Sequence, residues 1–215
     1  MRKLFIEGLA TFGLVLIGTG ACVINEVSAG RLGVVGVGLI WGATVWVLAA
    51  VSGAHMNPAV TLASGLTRRE AALRFLSQAI GAFTASACLL GVFRERAGNL
   101  GTTVPAAGLF VTFGLEFAMT FVLVLAVLRL PARFVPAAAG VIVAVEAIFA
   151  GPLTGASMNP IRSLAPAIVS GNLGGLWIYL LAPMLGGWAA GRAHHEKISL
   201  KPATVRTTAS RRLIA

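Results

Sequence analysis

The sequence predicts an all-α membrane protein with six transmembrane helices, two re-entrant half-helices and an inverted internal repeat. Three observations predict it. First, 57% of residues are hydrophobic and only 11% are charged, with mean hydropathy +0.89, whereas a soluble domain carries about 25% charged residues. Second, apolar runs of roughly 20 residues recur, the length a helix needs to cross a bilayer. Third, two stretches are near copies, Gly53-Ala54-His55-Met56-Asn57-Pro58-Ala59-Val60 and Gly155-Ala156-Ser157-Met158-Asn159-Pro160-Ile161-Arg162. Lipid cannot satisfy free backbone groups, so the runs must be helices rather than open strands.

The first span runs from about Leu4 to Ile24. It is too long for a signal-peptide core, although Met1-Arg2-Lys3 resembles a basic leader. A short connection, Asn25 to Arg31, leads to span two, about Leu32 to Val51. The first Asn-Pro stretch follows. Asn caps helices and Pro suits their first position, so a helix starts at Asn57-Pro58. Thr67-Arg68-Arg69-Glu70 closes it after about ten residues, half a bilayer at ~1.5 Å per residue.

Span three covers about Ala71 to Phe93, and Arg94 to Pro105 forms a polar loop. Span four covers about Ala107 to Leu128, and Arg129 to Arg133 makes a basic turn. Span five runs from about Val135 to Phe149, where Gly151-Pro152 breaks it. The second Asn-Pro half-helix ends near Ser170 to Asn172, and span six covers about Leu173 to Gly191. The membrane domain is therefore 1–192, its repeats about 4–93 and 107–192, followed by a basic tail, 193–215.

Net charge +10 suggests nucleic acid until its placement is considered. Basic residues flank the spans or lie in the tail. With the N-terminus in the cytoplasm, all Lys and Arg fall inside except Arg31, Arg94, Arg96 and the intramembrane Arg162. Both termini are expected in the cytoplasm, with lipid and not nucleic acid as the partner. Cys22 and Cys88 lie in apolar runs and read as small buried side chains rather than a disulfide. The chain contains no Asp and offers no metal cluster, so neither an enzyme nor a metal or other cofactor is expected.

Glu7-x-x-x-Thr11-Phe12 and Glu116-x-x-x-Thr120-Phe121 open the two halves. Three spans per half make the repeats inverted, which brings the interrupted helices together near the midplane around a transport site. Both half-helix N-termini then point inward, each carrying about +0.5 of a charge. Asn57 and Asn159 can donate to a neutral solute there, a cation meets two positive ends, and a water bound to both breaks a proton wire. Arg162, one turn past the second start, reads as a fixed charge at a constriction, its rival being an interfacial snorkelling Arg. Glu7 and Glu116 read as acceptors for loop amides, with an interfacial Glu as the rival. His55 reads as loop support. Glu146 has no symmetric counterpart; a pore, a water pocket and a subunit contact are all open.

Together Asn57-Pro58-Ala59, Asn159-Pro160-Ile161-Arg162 and the Glu7 and Glu116 repeats resemble the aquaporin, or major intrinsic protein, family. Ile161 departs from the family's Asn-Pro-Ala, which affects either half-helix packing or the midplane bore. The resemblance implies passive conduction through each subunit of a homotetramer in the cell membrane. It also implies a selectivity filter of Val37, Ala147, Ala156 and Arg162, with Trp41 as the alternative on span two. Water-selective members usually carry His on span five; small Ala147 and Ala156 imply a wider filter. Gly53-Ala54-His55-Met56 and Leu176-Trp177-Ile178-Tyr179 look closest to nodulin-like intrinsic proteins and their bacterial relatives. That branch implies glycerol-like polyols and boric, silicic or arsenous acid, with some water. The alternatives are a water-selective channel and a proton-coupled transporter.

Overall fold

In a computed structural model of the chain, residues 1–94 and 98–199 are described. The helices are α1 (Arg2–Val27), α2 (Gly33–Ser52), α3 (Pro58–Ala63), α4 (Arg68–Phe93), α5 (Leu109–Arg129), α6 (Val135–Thr154), α7 (Pro160–Ser170) and α8 (Leu176–Ser199). Five of them, α1, α2, α4, α5 and α6, are long and apolar enough to cross a membrane. The sixth, α8, has 24 residues, about 36 Å at ~1.5 Å each. Its Trp, Tyr, Pro, Gly and Arg residues dilute its apolar character.

Local chemistry explains most boundaries, and in three places it differs from the sequence reading. Thr67 does not close α3; it starts α4. Its side chain accepts from the Glu70 amide while the Glu70 carboxylate accepts from the Thr67 amide, a reciprocal cap. The first half-helix is accordingly six residues long rather than about ten. Pro152 does not break α6. It sits in the last turn, where one lost backbone bond is tolerable, and the helix continues to Thr154 before Gly155 turns left-handed at φ +81°. Finally, α8 continues to Ser199, into the stretch expected to be tail. The remaining tail, 200–215, lies outside the described residues.

Small residues set the helix spacing. A Cβ on Gly81 would lie 2.1 Å from the Gly8 carbonyl, joining α1 to α4, and one on Gly186 would lie 2.4 Å from the Phe117 carbonyl, joining α5 to α8. The two crossings are equivalent in the two repeats. Without a hydrophobic drive between helices in lipid, such close backbone packing holds the bundle together. The halves exchange their half-helices: α3 packs on α8 and α7 packs on α4. That exchange brings the two Asn-Pro starts face to face.

Candidate functional site

The two starts are built alike. Asn57 and Asn159 are extended (φ −154° and −148°), and their side-chain oxygens accept from Ala59 N and from Ile161 N and Arg162 N. The residues before them, Met56 and Met158, are left-handed at φ 53° and 51°. For a non-glycine residue this conformation costs about 1–2 kcal/mol. It persists because each Met is held at both ends. Met56 N donates to Glu7 at 2.6 Å and Met158 N donates to Glu116 at 2.8 Å. Met158 O accepts from Asn57 Nδ2, and Met56 O accepts from Asn159 Nδ2, both at 2.8 Å.

Each Asn amide therefore spends one hydrogen on the opposite loop and keeps one for the lumen. The sequence by itself assigns both amide groups to the pore, because pairing across about 100 residues of chain is invisible to local patterns.

Glu7 and Glu116 are fully buried and accept loop amides, but their surroundings differ. Glu7 accepts from Gln78 Nε2 at 2.9 Å and forms an ion pair with Arg74 at 2.6 Å. Gln78 and His55 both reach Thr61 Oγ1 at 3.0 Å. Glu116 accepts from Ser157 N and Thr154 Oγ1, while the Tyr179 hydroxyl donates to the Thr154 carbonyl. The sequence reading misses Arg74, Gln78, Thr61, Thr154 and Tyr179. Arg74 and Gln78, one turn apart on a span, are the available signal that a buried acid nearby needs partners.

Two chambers adjoin, and the Asn pair borders the first of them. One, about 280 Å³, is bordered by His55, Asn57, Val143, Asn159 and Arg162. The other, about 290 Å³, is bordered by Cys22, Val37, Gly101, Ala147 and Arg162. Trp41, Ala156 and Arg162 border both, which marks the junction. Arg162 is 3% exposed, too buried for a snorkelling residue. Its Nη1 donates to Gly101 O at 3.0 Å and its Cζ lies 4.7 Å from the centre of the Trp41 ring. Of the two span-two candidates, Trp41 touches Arg162; Val37 borders only the second chamber, as does Ala147.

Ile161 borders neither chamber. It is buried with Val15, Ala82, Ala85 and Ala165, so its extra bulk goes into packing. Glu146 borders neither chamber as well, and its Oε2 is buried with no partner. Cys88 is exposed on the outside of α4, against the expectation of burial, and Cys22 is partly buried beside Arg162. Among the described residues no three metal-ligating side chains cluster.

A family model described as major intrinsic protein matches residues 1–194. Nodulin-26 of Glycine max is 36% identical over 203 residues, covering 88% of this chain and 75% of that one. Aquaporin NIP1-2 of Oryza sativa subsp. japonica is 38% identical over 208 residues, covering 85% and 68%. The X-ray structure of the aquaglyceroporin from Plasmodium falciparum superposes with TM-score 0.78 at 24% identity, covering 89% of this chain and 93% of that one. That last likeness concerns the fold.

Proposed function

Because the chain belongs to the major intrinsic protein family, we propose that it is a passive transmembrane channel for small uncharged solutes and water. The solutes are glycerol-like polyols and metalloid hydroxides such as arsenous, boric and silicic acid. One observation carries the reading: at the junction of the chambers a single guanidinium and an indole face the small side chain of Ala156, with Ala147 beyond it. The guanidinium donates hydrogen bonds, the indole supplies a flat apolar wall, and the alanines leave room for a carbon skeleton. A polyol presents those two kinds of surface.

The selectivity filter in this reading is Trp41, Ala147, Ala156 and Arg162, with Val37 lining the mouth. Asn57 and Asn159 form the midplane site, each with its spare amide hydrogen. A cation would have to shed water beside a fixed positive charge and two positive helix ends, in a setting where charge repulsion is weakly screened. Pro58, Ala59, Pro160 and Ile161 start and seat the half-helices, while Glu7, Glu116 and His55 hold the loops. Nothing in this path requires a coupled proton.

The protein sits in the cell membrane with both termini cytoplasmic, as its basic turns favour. It assembles as a homotetramer. Exposed Val35 and Val47 on α2 and Val141 and Phe149 on α6 supply apolar area for neighbouring copies and lipid. The deciding experiment measures water, glycerol and arsenous acid uptake in the same vesicles. Uptake of all three down their gradients is expected; water alone would replace this reading with a water-selective channel.

A further inference from the structure

Besides α2, α6 and the second Asn-Pro loop, α1 also reaches the junction of the chambers. Its π-helical stretch, Val15–Thr19, places Gly18 against Trp41: a Cβ there would lie 2.5 Å from the indole ring. One turn on, Cys22 Sγ accepts from Trp41 Nε1 at 3.5 Å and lies 4.0 Å from Arg162 Nη2. Cys22 also borders the second chamber. A single sulfur thus meets both polar donors of the junction.

Of the other donors of Arg162, one is satisfied and one is not. Nη1 is committed to a carbonyl, Gly101 O. Nε is buried without a partner although the residue is only 3% exposed. The protein therefore leaves this guanidinium short of strong acceptors. A thiol sulfur is a weak acceptor, so a hydroxyl oxygen arriving at hydrogen-bond distance displaces it at little cost. A serine there would compete with the solute for the same two donors. An alanine would leave them with no protein acceptor.

We propose that Cys22 is a further specificity-determining residue of the constriction, holding the Trp41 indole and the Arg162 guanidinium with an acceptor that a passing hydroxyl replaces. The proposal rests on the channel reading above.

The test uses the full chain in proteoliposomes. Glycerol and water permeabilities are measured for wild type, Cys22→Ser, Cys22→Ala and Cys88→Ala, the last as control because Cys88 faces outward from α4. Cys22→Ser should lower the glycerol-to-water ratio about three- to tenfold, the value of one competing hydrogen bond, and Cys22→Ala should raise it. A ratio unchanged in both variants overturns the proposal. A second arm needs no substitution at the junction. A negatively charged methanethiosulfonate is added to each face in turn; the Cys22 thiolate displaces methanesulfinate and forms a mixed disulfide. Wild type and Cys88→Ala should lose conduction and recover it with dithiothreitol. Full conduction after treatment from both faces overturns the proposal. A wild-type protein that conducts nothing before treatment fails the channel reading instead.

Discussion

At the scale of single residues, the chemistry centres on Arg162 and the residues that touch it. Its charge is held by one carbonyl, one indole face and one sulfur, and no carboxylate among the described residues bridges to it. The charge therefore stays available to the lumen. Arg162→Ala should admit cations or larger solutes; conductance recordings in planar bilayers against the wild type check this, and unchanged selectivity would remove Arg162 from the filter. Ala147→His should narrow the path, lowering glycerol uptake while leaving water uptake largely intact; stopped-flow swelling reads both. Ile161 teaches the opposite lesson. Its side chain packs away from the lumen, so Ile161→Ala should leave the solute-to-water ratio within about twofold while costing about 2–5 kcal/mol of packing. A fall in melting temperature with unchanged selectivity is the expected pair of readings.

At the scale of elements, the two half-helices share one plan and differ in how their acids are compensated. Glu7 has a cation, Arg74, which is itself 17% exposed. Glu116 has only amide and hydroxyl donors. Removing Arg74 strands a buried carboxylate, so Arg74→Met should cost about 3–5 kcal/mol and loosen the α1–α4 contact. Denaturation of the purified protein in detergent measures it, and a loss under about 1 kcal/mol would show that Gln78 and Met56 suffice. Much of this level is legible in the sequence. Asn-Pro announces both helix starts, and the spacing of Glu7 and Glu116 announces their equivalence. The Thr67–Glu70 cap is legible too, but a cluster of charges after a short apolar run reads equally as an ending. The reciprocal bonding of Thr67 and Glu70 makes it the start of α4 instead.

At the scale of the whole molecule, the exchange of half-helices makes one site from two repeats. Each Asn donates to the carbonyl before the other Asn, so each left-handed Met takes one of its two anchors from the opposite half. The two repeats should therefore unfold together, and hydrogen exchange at Met56 and Met158 should report the same opening free energy. Protection that differs by more than about tenfold, ~1.4 kcal/mol, would show that the halves open separately. A passive path also predicts no solute accumulation under an imposed proton gradient, measured with labelled glycerol in sealed vesicles.

What the sequence alone determined were features written within one helical turn or one span. These are the apolar lengths, the Asn caps, the Pro starts, the paired acids and the intramembrane Arg. Capping and hydropathy act over a few residues, so they can be read before any packing is known. Tertiary structure alone decided which side chains meet at the centre. It chose Trp41 over Val37 beside Arg162, turned Ile161 away from the lumen, gave Arg74 to Glu7, and brought Cys22 to the junction. Those choices depend on how α1, α2, α4 and α7 lean on one another. Close backbone contact at glycine sets that geometry, and the partners it joins lie tens to more than a hundred residues apart.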